Sequence, residues 1–255
     1  MTRAARPTVA IAGLGLIGGS LARALTEAGY RVIGVDTPAR SRAARGAGAL
    51  AGTAPSIAAA ACAADVLVLA APPAANLRLL RQAARVAPPG LVITDVSSVK
   101  RPIGALARRL RLVRFVGGHP MAGRERSGFA ASSADLFRGC PWILTPSAAG
   151  PRRVVARLAR AVGARPVVVA EDAHDRAMAY LSHLPQIVAW ALSSAARRDP
   201  VAGRLLRLAG PGFRDMTRLA ASPRALWREV LAQNAVEVAR ARKDLLRALR
   251  PGGRR

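Results

Sequence analysis

The chain has only three histidines, and each lies close to other side chains able to do chemistry. His119 stands between Gly117-Gly118 and Pro120-Met-Ala-Gly123, with Glu125 just beyond. Ser98 and Lys100 share the segment Ser97-Ser98-Val99-Lys100. His174 and His183 fall in HDRAMAYLSHLPQ, which ends on Gln186, and Arg218 closes GFRDMTR. An imidazole of ordinary pKa exchanges a proton near neutral pH and so serves as general base or acid. The planar fork of an arginine holds a carboxylate through two parallel bonds. Glycines before His119 and a proline after it predict a rigid, exposed presentation of the ring.

These residues need a frame, and the first half of the chain supplies one. Val9 to Ala12 reads as a buried strand, Gly13-Leu-Gly15-Leu16-Ile17-Gly18 is a complete GxGxxG, and an Ala/Leu helix follows. Gly13 permits a tight turn, Gly15 lets the backbone approach a pyrophosphate, and Gly18 lets helix and strand pack closely. The helix N-terminus then offers free N–H groups to the diphosphate. Asp36 ends the next strand, where a carboxylate accepts the ribose hydroxyl hydrogens. Its charge argues for NAD, whereas Arg40 and Arg42 leave NADP open.

Strand and helix continue to alternate. Asp65–Ala70 predicts a strand leading to Pro72-Pro73, where the nicotinamide side of the cofactor is expected. Leu91–Asp95, Val113–Gly117, Trp142–Thr145 and Val167–Val169 are the later strands, with a helix over Pro151–Val162. Such alternation predicts an α/β Rossmann-type, doubly wound parallel sheet. Ligands bind beyond the carboxyl ends of its strands, which is where Ser98 and His119 belong.

From Glu171 onward strand signals cease, so a dinucleotide-binding domain over 1–170 and an all-α domain over 171–255 are expected. Pro185 should kink the first helix. Ser222 as N-cap and Pro223 at the first position predict one long terminal helix. Its stripe of Leu226, Val230, Leu231, Val238, Leu245 and Leu249 is either core or a dimer seam. So small a helical domain is expected to need a partner surface, which makes the chain a homodimer.

Composition narrows the partners. The 255 residues carry 40 basic and 14 acidic side chains, a net +26. Only Lys100 and Lys243 are lysines, and the arginines are scattered without an aromatic platform for bases. An Arg- and Ala-rich coding background explains this better than a nucleic-acid partner, though the field still favours small anionic substrates. Cys62 and Cys140 form no cluster, so no metal site is expected and a reducing cytoplasm fits. No stretch has the length and apolarity of a membrane span.

GLGLIGGSLA, TDVSSVK, GGHPMAGRERSGF, HDRAMAYLSHLPQ and GFRDMTRLAASPRALW follow one another along the chain. In that order they resemble the prephenate/arogenate dehydrogenase family of tyrosine biosynthesis, from about Thr8 to Asn234. The resemblance implies an NAD(P)-dependent oxidative decarboxylation of prephenate or arogenate. It implies that His119 is the catalytic base toward the ring hydroxyl and that Ser98 orients it. Glu125 matches a residue of gating or polar contacts, and His183 and Arg218 match binders of the substrate carboxylates. Gln186 stands where some members carry another histidine, which leaves the substrate side chain open. The 3-hydroxyacid dehydrogenases and imine reductases place a catalytic lysine on the helical domain, where this chain offers only Lys243.

Overall fold

Short apolar runs build the first sheet. β1 (Val9–Ala12), β2 (Val32–Val35), β3 (Gly52–Thr53), β4 (Val66–Leu69), β5 (Val92–Asp95) and β6 (Phe115–Val116) pair in the order β3-β2-β1-β4-β5-β6. Every pairing is parallel, with Val9 opposite both Val32 and Val66, and Val66 opposite Val92. The connecting helices are α1 (Leu16–Glu27), α2 (Pro38–Gly46), α3 (Ile57–Cys62), α4 (Pro73–Ala84) and α5 (Arg101–Arg109). Because side chains alternate along a strand, β1 serves two cores at once. Val9 and Ile11 meet Leu21 and Leu25 of α1 on one face, while Ala10 and Ala12 share the other with Leu80, Ile103 and Leu106. Helices on both faces make the sheet doubly wound, as the alternation predicts.

The computed structural model describes residues 6–124 and 126–250. They divide into two compact units, one running to Asp172 and the other starting at Ala173.

In the first unit the chain leaves the parallel sheet at Gly117. β7 (Gly118–Pro120) pairs antiparallel with β8 (Pro141–Leu144), and β8 pairs parallel with β9 (Arg165–Val168). The strands expected over 142–145 and 167–169 therefore lie in a second, three-stranded sheet. The switch has its own bonds: Gly117 N–H donates to Thr145 Oγ1 (3.0 Å), and Thr145 N–H returns to Gly117 O (2.8 Å). α6 (Ala149–Ala161) adds Val155 and Leu158 to the core that α1 shares.

Two 3-10 turns, Phe129–Ala131 and Ala134–Phe137, pack on α1. Ser133 N–H donates to Ser20 Oγ (2.9 Å), Arg23 Nε donates to Ser132 Oγ (2.9 Å), and the Arg23 guanidinium lies 4.6 Å from the Phe129 ring centre. A Cβ on Gly19 would stand 2.7 Å from Phe129 Cδ2, so the glycine beyond the fingerprint makes room for this ring.

The second unit is all helical. α7 (Glu171–Met178) passes through a π-helical turn, Ala179–His183, into α8 (Leu184–Arg198). Near Pro185, where a kink is predicted, the chain makes this wider turn: Pro185, which has no N–H, is the second residue of α8, which follows directly on the turn. α9 (Pro200–Arg204), α10 (Pro211–Thr217) and a 3-10 turn at Arg218–Ala221 follow. The single terminal helix expected from Ser222 is instead two, α11 (Arg224–Gln233) and α12 (Ala235–Ala248), broken at Asn234. Pro223, not Ser222, occupies the cap position of α11. No helix of the described residues is long and apolar enough to cross a membrane.

Candidate functional site

Gly13 has φ +101°, and a Cβ on Gly18 would collide with the Gly13 carbonyl, so loop and helix close on each other as the fingerprint requires. Around Gly15 the space is open, with no atom within 4 Å of where its Cβ would be. No side chain caps the N-terminus of α1, which leaves its first N–H groups available to an anion. Asp36 accepts from Leu14 N–H and Thr37 N–H, each at 2.6 Å, and the Arg40 guanidinium lies 3.4 Å away. The acidic residue thus braces the glycine loop. Gly13, Gly15, Leu16, Ile17, Gly18 and Asp36 lie together at the carboxyl ends of β1 and β2, and this cradle fits a dinucleotide.

Pro72 follows β4 at the same edge, exposed, as the cap residue of α4. Asn76, which the sequence reading passed over, is buried behind it. Its Oδ1 accepts from Ala71 N–H (3.0 Å), and its Nδ2 donates to Leu69 O (3.2 Å) and Ser97 Oγ (2.9 Å). The loops after β4 and β5 are thereby joined.

His119 is half-buried at the centre of β7, opposite Ile143. It reaches the ligand edge through Gly118, whose N–H donates to Asp95 Oδ1 (3.0 Å) at the end of β5. Asp95 Oδ2 accepts from Ser97 N–H (2.9 Å) and from Lys100 Nζ (2.6 Å), and Lys100 also donates to Gly118 O (2.5 Å). Asp95 and Lys100 have no accessible surface. Ser98, half-buried, lies in the loop these bonds fix. Asp95 could have been found by its place, as an acidic residue closing a buried strand.

The helical unit holds a second group. His183 is buried, and Asn234 Nδ2 lies 3.2 Å from its Nδ1 and 2.7 Å from Asp175 O. A carbonyl only accepts, so this amide atom is the nitrogen, His183 Nδ1 is the acceptor, and Nε2 carries the hydrogen. Burial lowers the His183 pKa to about 4; Asp175 opposes that shift and His174 adds to it, so the ring is neutral at pH 7. Beside it, His174 Nδ1 and Asp175 Oδ1 form a buried pair at 2.7 Å. Trp227 meets the His183 ring edge-on, with centroids 6.1 Å apart.

Gln186 is also buried, and its Nε2 donates to Leu219 O (2.7 Å). It thus holds the turn that begins at Arg218, which is exposed. Asn234 was missed by the sequence reading because it lay inside an apparently unbroken helix. Glu125 lies outside the described residues.

Residues 21–170 match the family described as prephenate dehydrogenase, nucleotide-binding domain, and residues 170–251 its dimerization domain. A prephenate dehydrogenase of Bacillus subtilis is 36% identical over 239 residues, covering 90% of this chain. The chain spans 64% of that relative's length. Among solved structures, prephenate dehydrogenase from A. aeolicus in complex with hydroxyphenyl propionate and NAD+ superposes with a TM-score of 0.89. It is 29% identical, over 98% of this chain and 90% of the other. An arogenate dehydrogenase from Synechocystis gives a TM-score of 0.82 at 27% identity, over 95% and 89% of the two chains.

Proposed function

Because the chain belongs to the prephenate dehydrogenase family, we propose that it oxidises prephenate with NAD and releases 4-hydroxyphenylpyruvate and carbon dioxide. A bound nicotinamide dinucleotide supplies the hydride acceptor. Gly13, Gly15, Gly18 and the first turn at Leu16 and Ile17 hold its diphosphate, Asp36 its ribose, and Pro72 borders its nicotinamide side. The observation that carries the reading is the bond from Gly118 to Asp95, which ties the strand bearing His119 to the ligand edge.

His119 takes the ring hydroxyl proton as the hydride leaves the same carbon. The C–C bond to the ring carboxylate then breaks, its electrons complete an aromatic ring, and carbon dioxide departs. Ser98 orients His119. Arg218 binds a substrate carboxylate through its fork, and Gln186 acts on it through Leu219. His183 contributes a neutral Nε2–H rather than a charge. Glu125, six residues beyond His119 in the sequence, is assigned gating or polar contacts. Two copies assemble through the helical unit, a role supported by the dimerization-domain match and by exposed Leu181, Val236, Leu246 and Leu249.

Absorbance at the reduced-nicotinamide band tests this, using prephenate and arogenate with NAD and NADP, wild type against His119→Asn. Prephenate with NAD is expected to turn over fastest. The variant is expected to keep dinucleotide binding and lose about a hundredfold or more in rate. A marked preference for arogenate makes the chain an arogenate dehydrogenase, and an unchanged variant removes His119 from the chemistry.

A further inference from the structure

Asp95 and Lys100 form a fully buried ion pair around a glycine rather than around a ligand. Asp95 Oδ1 accepts from Gly118 N–H and Lys100 Nζ donates to Gly118 O, while the two charges meet at 2.6 Å. The two peptide planes of Gly118 are thus held separately. The carbonyl held by Lys100 belongs to the peptide whose N–H is that of His119, so this bond sets the plane from which the imidazole projects. Gly118 has no room to slide, since a Cβ there would stand 2.5 Å from Asp95 O and 3.0 Å from Trp142 Nε1. Neither charged side chain has accessible surface, so neither touches substrate or cofactor.

A buried ion pair rarely stabilises a fold more than a well-packed apolar pair of the same volume would. Its distinctive property is direction: charge-assisted bonds are short and roughly twice as strong as neutral ones. A misplacement of about 1 Å in a reacting group costs on the order of a hundredfold in rate. We propose that Asp95 and Lys100 are positioning residues for the reaction, a buried bracket of opposite charges that sets the aim of His119. The inference rests on the assignment of His119 as the base.

The test separates aim from fold. Asp95→Asn and Lys100→Met each remove one charge of the buried pair and are expected to lower the thermal midpoint. The double variant carries no charge, so its midpoint recovers relative to both single variants. It is expected to bind NAD and to show KM for prephenate within about threefold of wild type, with kcat lower by roughly 30- to 100-fold. Recovery of the midpoint together with kcat within about threefold of wild type overturns the inference. Gly118→Ala keeps both charges but drives a Cβ against Asp95 O and the Trp142 ring, so the bracketed peptide must shift; the same selective fall in kcat is expected, and an unchanged kcat counts against the bracket even if the double variant does not fold. His119→Asn, run in parallel, separates the two readings. If it retains wild-type turnover, the base assignment fails and the bracket with it. If it is inactive while the double variant is fully active, the bracket alone is lost.

Discussion

Asn234 gives its two amide hydrogens to Asp175 O and His183 Nδ1, and the break between α11 and α12 lets it do so. Asn234→Leu removes both of these buried bonds. A loss of about 1–3 kcal/mol in unfolding free energy is expected, with a raised KM because the His183 tautomer is no longer imposed. Denaturant melts and steady-state kinetics check the two effects, and a variant as stable as wild type would rule out the network.

His183 makes stability depend on pH. Its folded pKa, about 4, lies below the ordinary value of 6.5, so between these values the unfolded chain binds a proton that the folded chain does not. Its contribution is intact above pH 6.5 and is lost as pH falls toward 4. Between pH 7.5 and pH 5 the loss is about 2 kcal/mol. Denaturant melts of wild type and His183→Gln at both pH values should show the variant losing that much less. Equal losses would refute the assignment.

Gly19→Ala places a methyl group against Phe129. Overpacking of this kind costs about 1–3 kcal/mol. Phe129→Leu in the same chain should return part of that cost, so a double-mutant cycle reads the contact directly. Additive effects would show that the two residues do not meet.

Asp36→Asn removes the charge that braces the glycine loop and, in the proposed function, holds the ribose. The dissociation constant for NAD is expected to rise about tenfold, equivalent to ~1.4 kcal/mol. NADP should lose less or gain, because Arg40 no longer lies beside a carboxylate. Binding titrations with both dinucleotides measure the ratio. A ratio that does not move would exclude Asp36 from cofactor choice.

The parallel sheet was legible because buried strands write themselves as runs such as VAIA and VLVL, and periodicity needs no partner to be read. GxGxxG marked the dinucleotide loop for the same reason, since a tight turn and a close approach admit little but glycine. The exchange of sheets at Gly117 was hidden: β6 and β7 have two and three residues, too few for a period. The break at Asn234 was hidden because both flanks carry helical spacing and only a long-range acceptor, His183, decides the geometry. Asp95 and Lys100 were in plain view as residues, but their pairing about Gly118 is a matter of tertiary placement that neither short motif records.

The contact between Gly19 and Phe129 also constrains how the chain can change over generations. In a sequence so rich in alanine, position 19 holds glycine although alanine is a single small step away. While an aromatic ring occupies position 129, that step costs stability. A lineage that first trims 129 to a smaller side chain opens position 19, whereas the opposite order passes through a weakened protein. Two codons far apart in the gene are thus expected to change in a fixed sequence.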